Sequence, residues 1–292
     1  MPAIMLAEEG LAEWPRHADN PARVMDESSV RLVASDMDGT LLNSRGCLPS
    51  GFFEAFEALA AKGIHFAAAS GRQYHGLRKT FAPVADRMLF VAENGAYVAR
   101  GSDVWSVLDL DAETVFRLVC EIRAIEDVHI VLAGEQRAYI DSVQPDFVRE
   151  ARKYYTECAQ VEDLLNVTGD RFLKLAIYDF RGAAANSYPR LLHWQDQLKL
   201  AVSGARWMDV NRQGADKGSA LALIQQRLHL SPGETMAFGD QMNDLEMMGR
   251  ARWSYAVGNA VPEIRRAAAF SAPSNDEEGV MKVLKGMLSA RS

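Results

Sequence analysis

Two carboxylates two residues apart, Asp36 and Asp38, close the apolar run from Val30 to Ser35 and are followed at once by Gly39 and Thr40. A short apolar run of this kind reads as a buried strand, and open α/β sheets bind their ligands at the carboxyl tips of such strands. Residues two apart on a strand share a face, and Gly39 lets the chain turn back sharply, so both acids can serve one pocket. Packing like charges together is costly. Mg²⁺, a hard cation that takes carboxylate and phosphate oxygens together, is their natural companion. Asp-Gly is also a common surface-turn dipeptide, so the assignment depends on partners further along the chain.

Those partners recur in one pattern, an apolar run that ends in small or polar residues. Ile64 to Ala69 runs into Ser70-Gly71-Arg72, Met88 to Ala92 runs into Glu93-Asn94-Gly95, and Thr235 to Phe238 runs into Gly239-Asp240-Gln241-Met242-Asn243-Asp244. Successive strands ending this way line one cleft. On the first turn of a helix after the last run, residues at i, i+3 and i+4 share a face, which lets Asp240, Asn243 and Asp244 converge on one ion. Lys217 follows Asp216, an expected N-cap, at the start of another helix. An ammonium there opposes the helix dipole, so either it is a solvated lysine or it answers to nearby acids.

Strand-like and helix-like segments alternate from residue 30 onward, the signature of a parallel sheet covered by helices. Phe52 to Lys62 has helical spacing and stops at Gly63. The character changes between 111 and 209. Asp111–Glu126, Pro145–Glu157 and Ala183–Gln197 read as helices there, with strands at His129–Ala133, Arg137–Ile140, Phe172–Tyr178 and Leu198–Val202. Lys174, on the third of these strands, is expected to be a solvated edge lysine. This middle region is an α+β module inserted into a core formed by 30–110 and 210–292, and residues 1–29 form an N-terminal arm of unassigned role.

At 292 residues, 48% hydrophobic and 24% charged, the chain can bury a substantial core. A net charge of −7 argues against a nucleic-acid partner. The three cysteines, Cys47, Cys120 and Cys158, are widely spaced and indicate neither a disulfide framework nor a zinc cluster, which fits a reduced cytoplasm. The six histidines show no ligand spacing. No apolar run is long enough to cross a bilayer, and the first residues lack the pattern of a secretory signal. The expected state is a monomer or weak homo-oligomer.

Taken in order, Asp36-x-Asp38-Gly39-Thr40, Ser70-Gly71-Arg72, Lys217-Gly218 and Gly239-Asp240-x-x-Asn243-Asp244 resemble the four motifs of the haloacid dehalogenase superfamily of phosphohydrolases. The insert between the second and third motifs resembles the large α/β cap of its Cof-like branch. Glu93-Asn94-Gly95-Ala96 and Gly258-Asn259-Ala260 are further echoes. The resemblance implies an α/β fold, a Rossmann-like doubly wound parallel sheet with an inserted α+β cap domain. It also implies a Mg²⁺-dependent phosphatase that hydrolyses a small phosphorylated metabolite, a sugar or cofactor phosphate, through an aspartyl-phosphate intermediate. Asp36 is then the nucleophile, Asp38 the acid and base, and Lys217 the group that steadies Asp36. Ser70, Gly71, Thr40 and Asn243 sit at the phosphate or substrate, with Arg72 and Asn94 touching either substrate or the chain itself. The metal falls to Asp36, Asp38 through its backbone carbonyl, and Asp240, supported by Asn243 and Asp244. A phosphomutase of the same superfamily would share these motifs, and a metabolite-binding protein with a decayed site is the alternative outside enzymes.

Overall fold

The computed structural model describes residues 29–290; the N-terminal arm, apart from Ser29, lies outside them. Five strands come first, β1 (Leu32–Asp36), β2 (His65–Ala69), β3 (Leu89–Ala92), β4 (Tyr97–Arg100) and β5 (Asp103–Val107). A second group follows, β6 (Val128–Gly134), β7 (Ala138–Ile140), β8 (Cys158–Gln160), β9 (Phe172–Asp179), β10 (Leu198–Val202) and β11 (Trp207–Arg212). The chain then returns to the first sheet with β12 (Thr235–Gly239), β13 (Trp253–Ala256) and β14 (Phe270–Ser271).

The core sheet has the order β14-β13-β12-β1-β2-β3-β4-β5. Its strands are parallel except for the hairpin-like pairs of β4 with β3 and β5. Strands β1 to β3 are buried along almost their full length, as expected for a sheet covered on both faces. Leaving β1, the chain first builds outward through β2 and β3, then returns after the insert to lay β12 on the other side of β1. Strand order therefore reverses between β1 and β12, and the crevice outside the carboxyl ends of strands at such a point is where open α/β sheets bind ligands. Asp36 ends β1 and Asp240 follows β12.

The insert forms its own sheet, β10-β11-β9-β6-β7-β8, antiparallel except where β7 meets β8. Helix α1 (Phe52–Ala61) and helix α2 (Tyr74–Thr80) belong to the core, whereas α3 (Ala112–Arg123), α4 (Pro145–Tyr154) and the short α5 (Ser187–Leu191) belong to the insert. The alternation in β9 and β11 divides the insert's apolar residues. Leu175, Ile177, Met208 and Val210 join one cluster with α3, while Ala176 and Tyr178 join a second with Phe147 and Ala151 of α4.

Three expectations change. The helix expected over Ala183–Gln197 is confined to α5 and a single 3₁₀ turn at Leu192–Trp194. Pro189 explains its late start, because its ring would clash with the carbonyl of Ala185 if the preceding turn were helical. The helix after β12 is likewise a 3₁₀ turn at Met242–Asp244 and a four-residue helix, Leu245–Met248, ended at Gly249. The second sheet also runs past residue 209, since β11 carries it to Arg212.

Candidate active site

Asp36 is buried at the tip of β1, and Lys217, fully buried, donates to its Oδ1 at 2.5 Å and to Asp244 Oδ1 at 2.6 Å. Lys217 opens helix α6 (Lys217–Leu228), whose N-cap Asp216 accepts from the Ser219 backbone N–H. Its approach to Asp244 depends on the next residue, because a Cβ on Gly218 would lie 2.6 Å from the backbone of Glu246. Burial and the helix dipole both oppose a charge on Lys217, yet Asp244 and Asp36 outweigh them and hold its pKa above the ordinary lysine range. The lysine answers to acids rather than to solvent.

Asp36, Asp240 and Asp244 each offer an oxygen within 4.8 Å of the others, all three buried. One ammonium stands among three carboxylates. Burial, reinforced by the charges of Asp244 and Asp240, pushes the Asp36 carboxyl well above the usual carboxylate range despite Lys217, and burial followed by Asp244 raises Asp240. An all-oxygen donor set short of positive charge suits a small hard cation. Not every oxygen is equally free to hold one. Asp244 Oδ2 accepts from the backbone N–H groups of Asp240 and Gln241 at 2.9 and 3.1 Å, and Asp240 Oδ1 accepts from Thr40 at 2.8 Å. Asp36 and Asp240 are thus the better first ligands, with Asp244 holding Lys217 and the turn. Their closeness needs Gly39, where φ is +83° and a Cβ would stand 2.6 Å from Asp240 Oδ2. Asn259 secures the same turn by donating to the Gly39 carbonyl at 2.7 Å.

Asp38 points elsewhere. Arg72 grips its carboxylate with two nitrogens, Nε to Oδ2 at 2.7 Å and a terminal nitrogen to Oδ1 at 2.5 Å, and about half of the Asp38 side chain remains exposed. Ser70, buried at the end of β2, accepts from the Arg72 backbone N–H at 3.1 Å. Asn94 adopts left-handed backbone, as does Glu93, and sparsely populated backbone of this kind is typical of functional sites. Its side chain accepts from Asn243 and donates to Asp209 Oδ2 at 2.8 Å. Asn243 and Asn94 therefore face a shared cavity, and Asn243 turns its amide to Asn94.

The cavity, about 190 Å³, lies between the strand tips of the core and the face of the second sheet, and reaches Asp36, Asp38, Ser70, Gly71, Arg72, Asn94 and Asn243. Its far wall was not foreseen. Lys174, expected in solvent, is only 2% exposed. It sits on β9, an inner strand flanked by β11 and β6, and forms ion pairs with Glu93 at 2.7 Å and Asp209 at 3.7 Å while donating to the Gly71 carbonyl at 2.8 Å. Burial disfavours its charge, but Asp209 and Glu93 outweigh burial and raise its pKa well above the ordinary value. Asn211 of β11 completes this junction by donating to the carbonyls of Glu93 and Leu173. Tyr154, Tyr155, Trp207 and Asp209 also line the cavity. The apolar alternation of β9 alone could have placed Lys174 opposite Leu173 and Leu175; β11 and its acid had no such signal.

A switch-point crevice holding an acid cluster, a buried lysine and a second polar loop is a ligand site of an open α/β fold, and comparison with known proteins specifies the kind. Residues 33–284 match the model of the haloacid dehalogenase-like hydrolase family, and the chain belongs to it. It is similar to the 5-amino-6-(5-phospho-D-ribitylamino)uracil phosphatase YbjI of Escherichia coli, 31% identical over 265 residues, which span 89% of this chain and 97% of that one. An HMP-PP phosphatase of Yersinia pseudotuberculosis is 27% identical over 81% of this chain and 86% of its own. Among solved structures, SMU.1108c of Streptococcus mutans superposes with a TM-score of 0.83 at 29% identity, covering 89% of this chain and 99% of that one. Within its family the chain is a phosphatase.

Proposed function

We propose that the protein is a Mg²⁺-dependent phosphatase that hydrolyses a small phosphorylated metabolite, a sugar or cofactor phosphate, through a phosphorylated Asp36. The observation that carries this is the buried set of Asp36, Asp240 and Asp244 about the ammonium of Lys217, which reaches the cavity through Asp36. The two phosphatase relatives act, by their names, on small phosphorylated compounds, which supports the substrate class.

Asp36 and Asp240, with the backbone carbonyl of Asp38, would hold Mg²⁺, supported by Asn243 and Asp244. When bound, the ion supplies positive charge for the transferring phosphoryl group and favours the ionised form of Asp36. Asp36 Oδ attacks phosphorus, and Lys217 keeps that carboxylate in line. Ser70, the backbone at Gly71, and Thr40 beside Asp240 bound the phosphoryl oxygens. Asp38 gives its proton to the leaving alkoxide and afterwards takes one from the water that attacks the phosphorus of the acyl phosphate. Arg72 holds Asp38 aside before substrate arrives. A phosphoryl group competes for the guanidinium through the same charge-assisted bonds, and so releases Asp38 to take up a proton from solvent and pass it to the leaving oxygen.

The enzyme acts as a monomer or weak homo-oligomer in the cytoplasm. Cys47, Cys120 and Cys158 are all free, which fits a reducing compartment, and among the described residues no helix is long and apolar enough to cross a membrane. The experiment is phosphate release from a panel of phosphate esters with Mg²⁺ or chelator. Release that needs the metal and disappears in Asp36→Asn is expected. Isomerised ester without free phosphate would instead identify a mutase, and silence across the panel would count against catalysis.

A further inference from the structure

Three successive carbonyls in the loop after β2 are each held. The Ser70 carbonyl accepts from the Asn94 backbone N–H at 3.0 Å and the Arg72 carbonyl from that of Glu93 at 3.1 Å, so the turn after β3 fixes both flanks. Between them, the Gly71 carbonyl accepts from a residue of the other sheet, Lys174 Nζ, at 2.8 Å. Glu93 and Asp209 balance the charge of Lys174 and account for its burial. They do not require its bond to a neutral carbonyl.

That bond has a consequence at the far side of the same peptide. The Gly71 carbonyl and the Arg72 N–H belong to one planar trans peptide group and point in opposite directions, and the Arg72 N–H donates to Ser70 Oγ at 3.1 Å. A serine hydroxyl has one proton to give and two lone pairs on which to receive. Because Ser70 accepts from Arg72, its proton is kept for another acceptor. Strand register pairs Asp36 with Ala69, so Ser70 stands one residue beyond the neighbour of Asp36, and both Asp36 and Ser70 line the cavity. If the 71–72 peptide turned over, its carbonyl would face Ser70 Oγ and take that proton instead. Gly71 has no Cβ to oppose such a turn, and the contact that opposes it is the one from Lys174.

Building on the phosphatase reading above, we propose that Lys174 is a positioning residue for phosphoryl transfer: it reaches from the second sheet to lock the Gly71–Arg72 peptide, and so commits the Ser70 hydroxyl to donate to a phosphoryl oxygen. Lys174 touches no reacting atom in this role and acts through Ser70 alone. The inserted module therefore completes the phosphate end of the site as well as its far wall.

The test is a double-mutant cycle on kcat/KM for acetyl phosphate, whose small leaving group keeps direct contact with the second sheet to a minimum. Lys174→Met and Ser70→Ala are each expected to lower kcat/KM about tenfold. The double variant is expected to lose about the same tenfold, because without the hydroxyl Lys174 has nothing left to position. Lys174→Met also strands buried carboxylates, so the same cycle is run in a Glu93→Gln background, which removes one of them and keeps the test open if Lys174→Met alone does not fold. Losses that multiply to about a hundredfold in the double variant would show that Lys174 acts independently of Ser70, as a merely structural residue does, and would overturn the proposal. Wild-type kcat/KM in folded Lys174→Met or in Ser70→Ala would overturn it as well, and each of these results leaves the phosphatase reading intact. No Asp36-dependent phosphate release by the wild type would overturn both.

Discussion

Removing the ammonium of Lys174 leaves Glu93 and Asp209 buried without the cation they share. Breaking a buried pair by deleting one partner costs about 3–5 kcal/mol, because the survivor is an uncompensated charge. Lys174→Met should therefore lower the unfolding free energy by about that amount in a urea titration, and a loss below about 1 kcal/mol would show that the junction does not depend on its charge. Arg72 makes the contrasting case. Its pair with the half-exposed Asp38 is solvent-screened, so Arg72→Ala should cost at most about 1 kcal/mol of stability. The variant should instead raise KM for phosphate esters, and an unchanged KM would remove Arg72 from the phosphate site. Residue spacing made Asp36 with Asp38, and Asp240 with Asp244, legible as two acidic strand ends, since their strands announce themselves as apolar runs; the structure joins Asp36, Asp240 and Asp244 in one cluster and sets Asp38 apart with Arg72. Lys174 was not legible. Its partners Glu93 and Asp209 come from a different sheet and a different strand, and a lone lysine in an apolar strand carries no mark of where its counter-charges are.

At the scale of elements, β2 supplies both a site residue at one end and a pH-sensitive group at the other. His65 begins the strand half-buried, and burial, then the charges of Arg100 and Arg31, hold its pKa below the ordinary histidine value. The unfolded chain then binds the proton more readily than the folded one. Stability is full above the unfolded value of about 6.5 and falls as pH drops below it. His65→Gln should lose less of its thermal midpoint between about pH 7 and pH 5 than the wild type does; equal losses would show that the neutral imidazole is not what the fold selects. Alternating runs made β1, β2, β3, β9 and β12 readable because each is apolar or strictly patterned. The pair β4 and β5 was not read, since Asp103, Val104 and Trp105 mix exposed polar and apolar residues on an edge. Pro189 was visible in the sequence and, weighed as a helix breaker, would have shortened the helix expected over Ala183–Gln197.

For the whole molecule, two sheets meet over one crevice, and the contacts joining them are the same ones that shape the site. Lys174 binds the Gly71 carbonyl, and Asn94 binds Asp209, so the second sheet is tied directly to the loops that follow β2 and β3. The acid cluster sets a second whole-molecule property. With one ammonium among three buried carboxylates, a cation that binds only the folded state stabilises it by mass action, about 2.7 kcal/mol at a hundredfold excess over Kd. Mg²⁺ should raise the thermal midpoint of the wild type and raise that of Asp240→Asn much less. An equal rise in both would place the ion away from this cluster.

Phosphorylation of Asp36 is read directly by rapid acid quench of the enzyme during turnover with Mg²⁺ and a good phosphate ester, followed by mass spectrometry of the peptide that carries Asp36. A fraction of that peptide is expected to gain one phosphoryl group, and the addition is expected to be absent from Asp36→Asn. Full turnover with an unmodified peptide at every quench time, or a phosphoryl group on another residue, would contradict it.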